Sequence, residues 1–223
     1  MNRRDAIKRL TALGTLGAIP GLVAAAAGSG NTQNKRLHIV GLGGGGCNAL
    51  EFIHRQGFQA KYTCVTHPER PHLAGDIDFI RHIPPCWLKS EERSIFLSDR
   101  TQKMEMPSRV RRLFSNDHYF ILLAGLGGFT GTKMVEELTL YLDEHNRDFL
   151  AICSRPFAFE GSIMIDFAEP TRTRLQHIPG FKCFELEKLR SVYGDLKISE
   201  LFARADEQFY KVLLETTPEY VRL

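Results

Sequence analysis

Two glycine-rich segments carry the clearest chemical signal in the sequence. The first spans residues 41–46 and the second residues 124–132, and each follows an apolar run and precedes residues with helical spacing. Glycines let backbone N–H groups approach an anion closely, and a helix that begins at such a loop adds its dipole. Two threonines, Thr130 and Thr132, add hydroxyl donors to the second segment. Both segments therefore predict phosphate binding.

Taken alone, the first segment fits more than one class of nucleotide site. Gly41, Gly43 and Gly46 satisfy the dinucleotide pattern G-x-G-x-x-G. However, the next predicted strand, residues 61–65, runs into Thr66 rather than into the acid that would hold a ribose. A P-loop is excluded, because neither segment ends in Gly-Lys-Ser/Thr. A dinucleotide enzyme of Rossmann type stays as the weaker alternative.

Two later segments carry side chains suited to a nucleoside. Arg155 and Glu160 lie within residues 154–161, directly after a predicted strand. Phe202 and Asp206 are four residues apart on a predicted helix, so their side chains project from the same side. An aromatic ring stacks on a purine, and a carboxylate accepts hydrogen bonds from N1 and N2 of guanine, which adenine does not offer. The competing interpretation is that Phe202 is a core residue and Asp206 a solvated one.

In order and spacing, these segments resemble the nucleotide site of the FtsZ/tubulin family. Residues 43–48 resemble its first nucleotide loop, and residues 124–132 resemble its glycine-rich signature. Residues 154–161 resemble its segment T-[RK]-P-F-x-F-E-G near the ribose, and residues 202–206 its guanine-recognition pattern F-x-x-A-[DN]. The resemblance implies binding of GTP or GDP, with Mg²⁺ as the ion that would accompany the phosphates. The residues that it assigns to nucleotide binding are Gly43, Gly44, Gly45, Gly46, Asn48, Gly127, Gly128, Phe129, Thr130, Gly131, Thr132, Arg155, Glu160, Phe202 and Asp206.

Several positions depart from the family pattern. Phe129 and Lys133 replace two glycines of the signature, and Leu186 stands near the place of an expected asparagine. The family's third phosphate loop has no counterpart in residues 83–90, and its hydrolysis loop has none before Leu223. The resemblance therefore implies at most a weak GTPase, with a second copy of the chain or an FtsZ-like protein as partner. A degenerate interaction module that binds no nucleotide is the alternative.

Alternating strands and helices must position these loops. The apolar runs predict strands over residues 36–40, 61–65, 77–80, 119–124, 149–153 and 181–184. Helical spacing between most of them predicts one α/β domain with a Rossmann-like, mostly parallel sheet and helices on both faces. The resemblance makes this a domain of FtsZ/tubulin GTPase type. A ligand is expected at the carboxyl ends of the strands, where the glycine loops lie.

The first 34 residues predict a leader instead of a part of the fold. Arg3 and Arg4 precede an uncharged stretch, residues 10–27, that ends in small residues. The paired arginines resemble a twin-arginine signal. This predicts export to a bacterial periplasm or membrane anchoring through the leader alone, and a cytoplasmic protein if the leader is inert. Residues 35–223 would then form the nucleotide-binding domain.

The distribution of charge argues against nucleic acid as a partner. The chain has 29 basic and 26 acidic residues. Residues 1–30 hold four basic residues and one acidic residue, so the remainder has 25 of each. A neutral body without a basic stripe lacks the electrostatic footprint of a nucleic-acid-binding protein.

Overall fold

The computed structural model describes residues 36–67, 70, 72–82, 104, 106–115, 118–194 and 196–217. The predicted leader, residues 1–34, and the segment 83–90 lie outside these described residues. Backbone contacts divide the chain into Met1–Thr32 and Gln33–Leu223, and all described residues belong to the second unit.

Strands and helices alternate along the described part of the chain. In chain order the elements are β1 (Leu37–Leu42), α1 (Gly43–Arg55), β2 (Lys61–Thr66), β3 (Ile77–Arg81), α2 (Ser108–Leu113), β4 (Tyr119–Gly125), α3 (Phe129–Glu144), β5 (Phe149–Arg155), α4 (Ser162–Leu175), β6 (Phe181–Glu185), α5 (Leu186–Tyr193) and α6 (Ile198–Thr216). A short 3₁₀ turn, Ala158–Glu160, precedes α4. None of these helices is long and apolar enough to span a bilayer.

The six strands form one sheet in the order β3-β2-β1-β4-β5-β6. Every pairing between them is parallel; Ile39, for example, lies beside Tyr62 of β2 and Ile121 of β4. The prediction of a mostly parallel α/β sheet is confirmed. This strand order is that of doubly wound nucleotide-binding folds, in which a crevice opens where the order reverses, here between β1 and β4.

Each central strand supplies side chains to both faces of the sheet. Ile39 and Ile121 pack on one face with residues of α1 and α6. Their neighbours Val40 and Leu122 pack on the other face with residues of α3 and α4. Because side chains alternate along a strand, continuous apolar runs are what a sheet covered on both faces requires.

The two glycine-rich segments touch each other through their backbones. Gly43 has a positive φ of 71°, and a Cβ at this position would lie 2.8 Å from the backbone nitrogen of Gly131. A Cβ on Gly46 would lie 2.0 Å from the carbonyl oxygen of Leu123. Glycine at these positions therefore lets α1 begin directly against β4 and α3.

We expect Gly46→Ala to destabilise the chain by about 2–3 kcal/mol or more, because the clash is with backbone that cannot move independently. The matched control is Gly44→Ala, whose Cβ would meet no atom within 4 Å. Urea unfolding of the two variants measures the difference. Equal stability of the two variants would contradict the close packing of α1 on β4.

Candidate functional site

A cavity of about 500 Å³ lies where the strands end. Its wall includes residues that follow or end β1, β2, β4, β5 and β6, together with residues of α1, α3 and α6. Cavities of this size commonly hold small ligands. The location is the one expected for a ligand at the carboxyl ends of a parallel sheet.

The structure brings eleven of the fifteen predicted site residues together in the wall of this cavity. They are Gly43, Gly44, Gly45, Asn48, Gly128, Phe129, Thr130, Gly131, Glu160, Phe202 and Asp206. Residues from four separate stretches of sequence thus share one cavity. Their contact with a ligand stays a prediction.

The four other predicted residues lie outside the cavity wall. Gly46 packs against β4, and the Thr132 hydroxyl accepts a hydrogen bond of 2.8 Å from the N–H of Gly127 inside the second loop. The guanidinium of Arg155 faces the carboxylate of Glu169, with Nε 3.3 Å from Oε2. Three of these residues therefore shape the loops, and the fourth pairs with α4.

Two helices begin at the cavity with uncapped N-termini. Neither α1 nor α3 has a side-chain hydrogen bond at its N-cap or an acidic residue in its first turn. The first N–H groups of a helix lack acceptors within the helix, and the dipole makes this end partly positive. The cavity therefore receives backbone donors and positive potential from two sides, which suits an anion.

The two bulky replacements in the second glycine loop pack on α4. The Phe129 ring is 7% exposed and stacks on the ring of Phe167, with centroids 6.1 Å apart. The Lys133 ammonium lies 5.6 Å from the centroid of the Phe167 ring and 4.0 Å from the Glu136 carboxylate. Phe129 lines the cavity, whereas Lys133 does not. Contacts between α3 and α4 thus accommodate both substitutions.

An aromatic side chain is partly exposed at another wall of the cavity. Phe202, on α6, is 39% exposed and lines the cavity. Two neighbouring rings meet it edge to face, Phe157 at 5.5 Å and Phe159 at 6.3 Å between centroids. These contacts hold the Phe202 ring in place while part of its surface remains available for stacking.

A half-buried carboxyl lies one turn further along α6. Burial raises the pKa of Asp206 to about 7, although the positive charges of Arg55 and Arg70 act in the opposite direction. The charged form of this carboxyl is therefore incompletely solvated. A ligand that brings N–H donors to this carboxylate would compensate for the lost water.

Ten further residues line the cavity without belonging to the predicted set. They are Thr66, His67, Gly125, Leu126, Ser154, Pro156, Met164, Leu186, Ala205 and Phe209. Most follow or end a strand, and two, Ala205 and Phe209, lie on α6 close to Phe202 and Asp206. The residues that follow predicted strands could have been predicted from the sequence as part of the cavity wall, because residues at the carboxyl ends of parallel strands face the ligand crevice.

Similarity to known proteins agrees with this geometry. No protein-family model matches the chain. Cell division protein FtsZ of Porphyromonas gingivalis is 26% identical over 179 residues, which cover 77% of this chain and 38% of that protein. FtsZ of Coxiella burnetii is 25% identical over 144 residues, which cover 64% of this chain and 37% of that protein. The chain thus spans well under half the length of these relatives.

Three solved structures share the fold. An empty FtsZ dimer from M. jannaschii has a TM-score of 0.59 and 19% identity, and the match covers 79% of this chain and 52% of that one. CetZ from Methanosaeta thermophila has a TM-score of 0.59 and 15% identity, and the match covers 82% of this chain and 54% of that one. CetZ2 from Haloferax volcanii, a GTPγS-bound protofilament, has a TM-score of 0.54 and 16% identity, and the match covers 82% of this chain and 59% of that one. The chain therefore has the GTPase-domain fold of the FtsZ/tubulin family, as its sequence motifs predict.

We expect Asp206→Asn to stabilise the ligand-free chain above about pH 7 by on the order of 1–2 kcal/mol, allowing for partial exposure to water. In the unfolded chain this carboxyl ionises near its ordinary pKa, whereas its folded-state pKa is about 7. The folded state therefore loses stability as pH rises between these two values, and the amide avoids that loss.

Thermal unfolding at about pH 5 and about pH 8 measures this effect, with the gain in Tm expected mainly at the higher pH. The control is Asp143→Asn, on the exposed end of α3. The same Tm change at both pH values would show that the carboxyl is not perturbed.

Proposed function

We propose that this chain binds a guanine nucleotide, GDP or GTP, in the cavity between its two glycine loops. The observation that carries the proposal is convergence in one cavity. Two uncapped helix N-termini suited to phosphates meet an aromatic ring, Phe202, and a carboxyl, Asp206, suited to guanine. These features come from three separate parts of the sequence, and packing alone does not require that they meet.

The phosphate end of the proposed site is formed by backbone. A Cβ added to Gly44 or Gly128 would meet no atom within 4 Å, so both loops present open backbone. Phosphate oxygens would accept hydrogen bonds from the first N–H groups of α1 and α3. No group of three or more metal-ligating side chains exists among the described residues. Mg²⁺ would therefore be held chiefly by the phosphates, whose charge it neutralises when bound.

The nucleoside end is formed by side chains. The guanine ring would stack on Phe202, and the Asp206 carboxylate would accept hydrogen bonds from N1 and N2. Glu160 already accepts the N–H of Phe157 at 2.8 Å through Oε1, and burial raises its pKa above the usual range. Its second oxygen would accept a ribose hydroxyl. Adenine presents an acceptor at N1 and no amino group at C2, so Asp206 would discriminate against it.

Hydrolysis is proposed to be weak at most. The carboxylates in the cavity wall are Glu160 and Asp206, and neither lies on the loops that would hold the phosphates. A general base must lie within hydrogen-bond reach of the attacking water. Among the described residues, the wall therefore offers no acid to the terminal phosphate, and faster turnover would need acids from elsewhere, for example from a partner.

Calorimetric titration of the full chain with GDP, GTP, ATP and NAD⁺ in magnesium buffer tests the proposal. We expect binding of GDP and GTP only, and a loss of roughly 30-fold or more in Asp206→Ala, since removing a charged acceptor of two hydrogen bonds costs about 2 kcal/mol or more. The control is Asp143→Ala, at an exposed position. No heat with any nucleotide would refute the proposal and favour an interaction module, and binding of NAD⁺ alone would favour a dinucleotide site.

Self-assembly is the second part of the proposal. The similar CetZ2 structure is a protofilament, which supports a second copy of this chain or an FtsZ-like protein as partner. Sedimentation velocity of the full chain is expected to show species larger than a monomer with GTP and smaller ones without nucleotide. A monomer under both conditions would contradict homo-assembly.

Export or anchoring through residues 1–34 is a separate proposal. It rests on the paired arginines and the apolar stretch that follows them. Because a twin-arginine signal directs folded proteins across the membrane, the domain would fold with cytoplasmic nucleotide before it leaves.

A further inference from the structure

Arg70 is anchored on the first turns of α1, beside the cavity. Its guanidinium donates to the carboxylate of Glu51, to Oδ1 of Asn48 and, at 3.4 Å, to the carbonyl oxygen of Gly44. Gly44 and Asn48 both line the cavity. The side chains of this arginine, Arg70, and of Glu51 are only 19% and 25% exposed, so their ion pair is partly shielded from water. Arg70 is therefore held in one place on α1.

This contact fixes the orientation of the Asn48 amide. A guanidinium has only donors, so the atom of Asn48 that faces it must be the acceptor Oδ1. The opposite orientation would set the NH₂ group of the amide against the N–H groups of Arg70. The NH₂ group is consequently turned away from Arg70, and Asn48 belongs to the cavity wall. The contact thus occupies Oδ1 of Asn48 with Arg70 and leaves the NH₂ group as the donor that the amide offers to a ligand.

The same region of the cavity contains the carboxyl proposed to recognise guanine. α1 packs against α6, which carries Asp206. Burial raises the pKa of Asp206, and the positive charges of Arg55 and Arg70 partly oppose this rise. Asn48 and Asp206 thus line the same cavity from two packed helices.

We propose that Arg70 is a positioning residue that holds the Asn48 amide as the hydrogen-bond donor to O6 of guanine, next to the Asp206 carboxylate that accepts from N1 and N2. This inference rests on the proposed function of the cavity and names a determinant of its base specificity. Guanine presents an acceptor at O6 and donors at N1 and N2. The N–H of the Asn48 amide matches O6, and the Asp206 carboxylate matches N1 and N2. Adenine offers a donor at N6 and an acceptor at N1, so both contacts would oppose it.

The test compares GDP with two analogues by calorimetric titration of the full chain. 6-Thio-GDP replaces O6 with sulfur, a weaker acceptor, and IDP lacks the N2 amino group but keeps O6. The variant Arg70→Met removes the guanidinium and keeps an apolar stem. The matched control is Arg55→Met, which also removes a positive charge near Asp206 but does not remove the partner of Asn48.

We expect the wild-type chain to prefer GDP over 6-thio-GDP by roughly tenfold, the value of one good hydrogen bond. In Arg70→Met this preference is expected to fall to about twofold or less, while the preference for GDP over IDP, which depends on Asp206, is retained. Arg55→Met is expected to keep both preferences. Arg70→Lys, which retains a donor for Asn48, is expected to restore part of the preference for GDP over 6-thio-GDP, and it serves if the methionine variant does not fold.

Three results would overturn this role of Arg70. Equal loss of GDP and 6-thio-GDP binding in Arg70→Met, with their ratio unchanged, would mean that Arg70 only supports the loop. Collapse of the ratio in Arg55→Met as well would mean a general effect of charge. Absence of GDP binding by the wild-type chain would instead refute the proposed function itself, and with it this inference.

Discussion

The close backbone approach of the two glycine loops is the constraint on which the rest of the site depends. A Cβ on Gly43 would lie 2.8 Å from the nitrogen of Gly131, and one on Gly131 would lie 2.6 Å from the carbonyl oxygen of Gly125. Because no side chain separates them, α1 and α3 both begin at the point where the strand order reverses. Two helix dipoles then act on one cavity, at the place where a parallel sheet offers room for a ligand.

Packing on α4 explains how a bulky residue is tolerated in this loop. Phe129 stacks on Phe167, and Lys133 lies near that ring and near Glu136. The ring of Phe129 and the ammonium of Lys133, which replace glycines of the signature, thus lie at the interface between α3 and α4. The cavity keeps a volume of about 500 Å³ with open backbone at its loops. The proposed nucleotide site depends on this packing of Phe129 and Lys133 against α4.

Much of the fold could be predicted from the sequence because its signals are local. Apolar runs mark the strands, two of which run into the glycine-rich segments, and each observed strand lies within two residues of its predicted bounds. The site could be predicted only in part. Thr132 and Arg155 fit the motif, but they contact other residues of the chain, Gly127 and Glu169, and the sequence does not distinguish such internal contacts from contacts with a ligand. The contact between Arg70 and Asn48 joins residues 22 positions apart through a segment without a motif, so only the structure identifies it.

The most direct test of the central claim is a crystal structure of the full chain grown with saturating GDP. The account predicts the diphosphate against the N-termini of α1 and α3, and the guanine between Phe202, Asp206 and Asn48. A cavity that stays empty under these conditions, or a nucleotide bound with its base at the glycine loops, would contradict it.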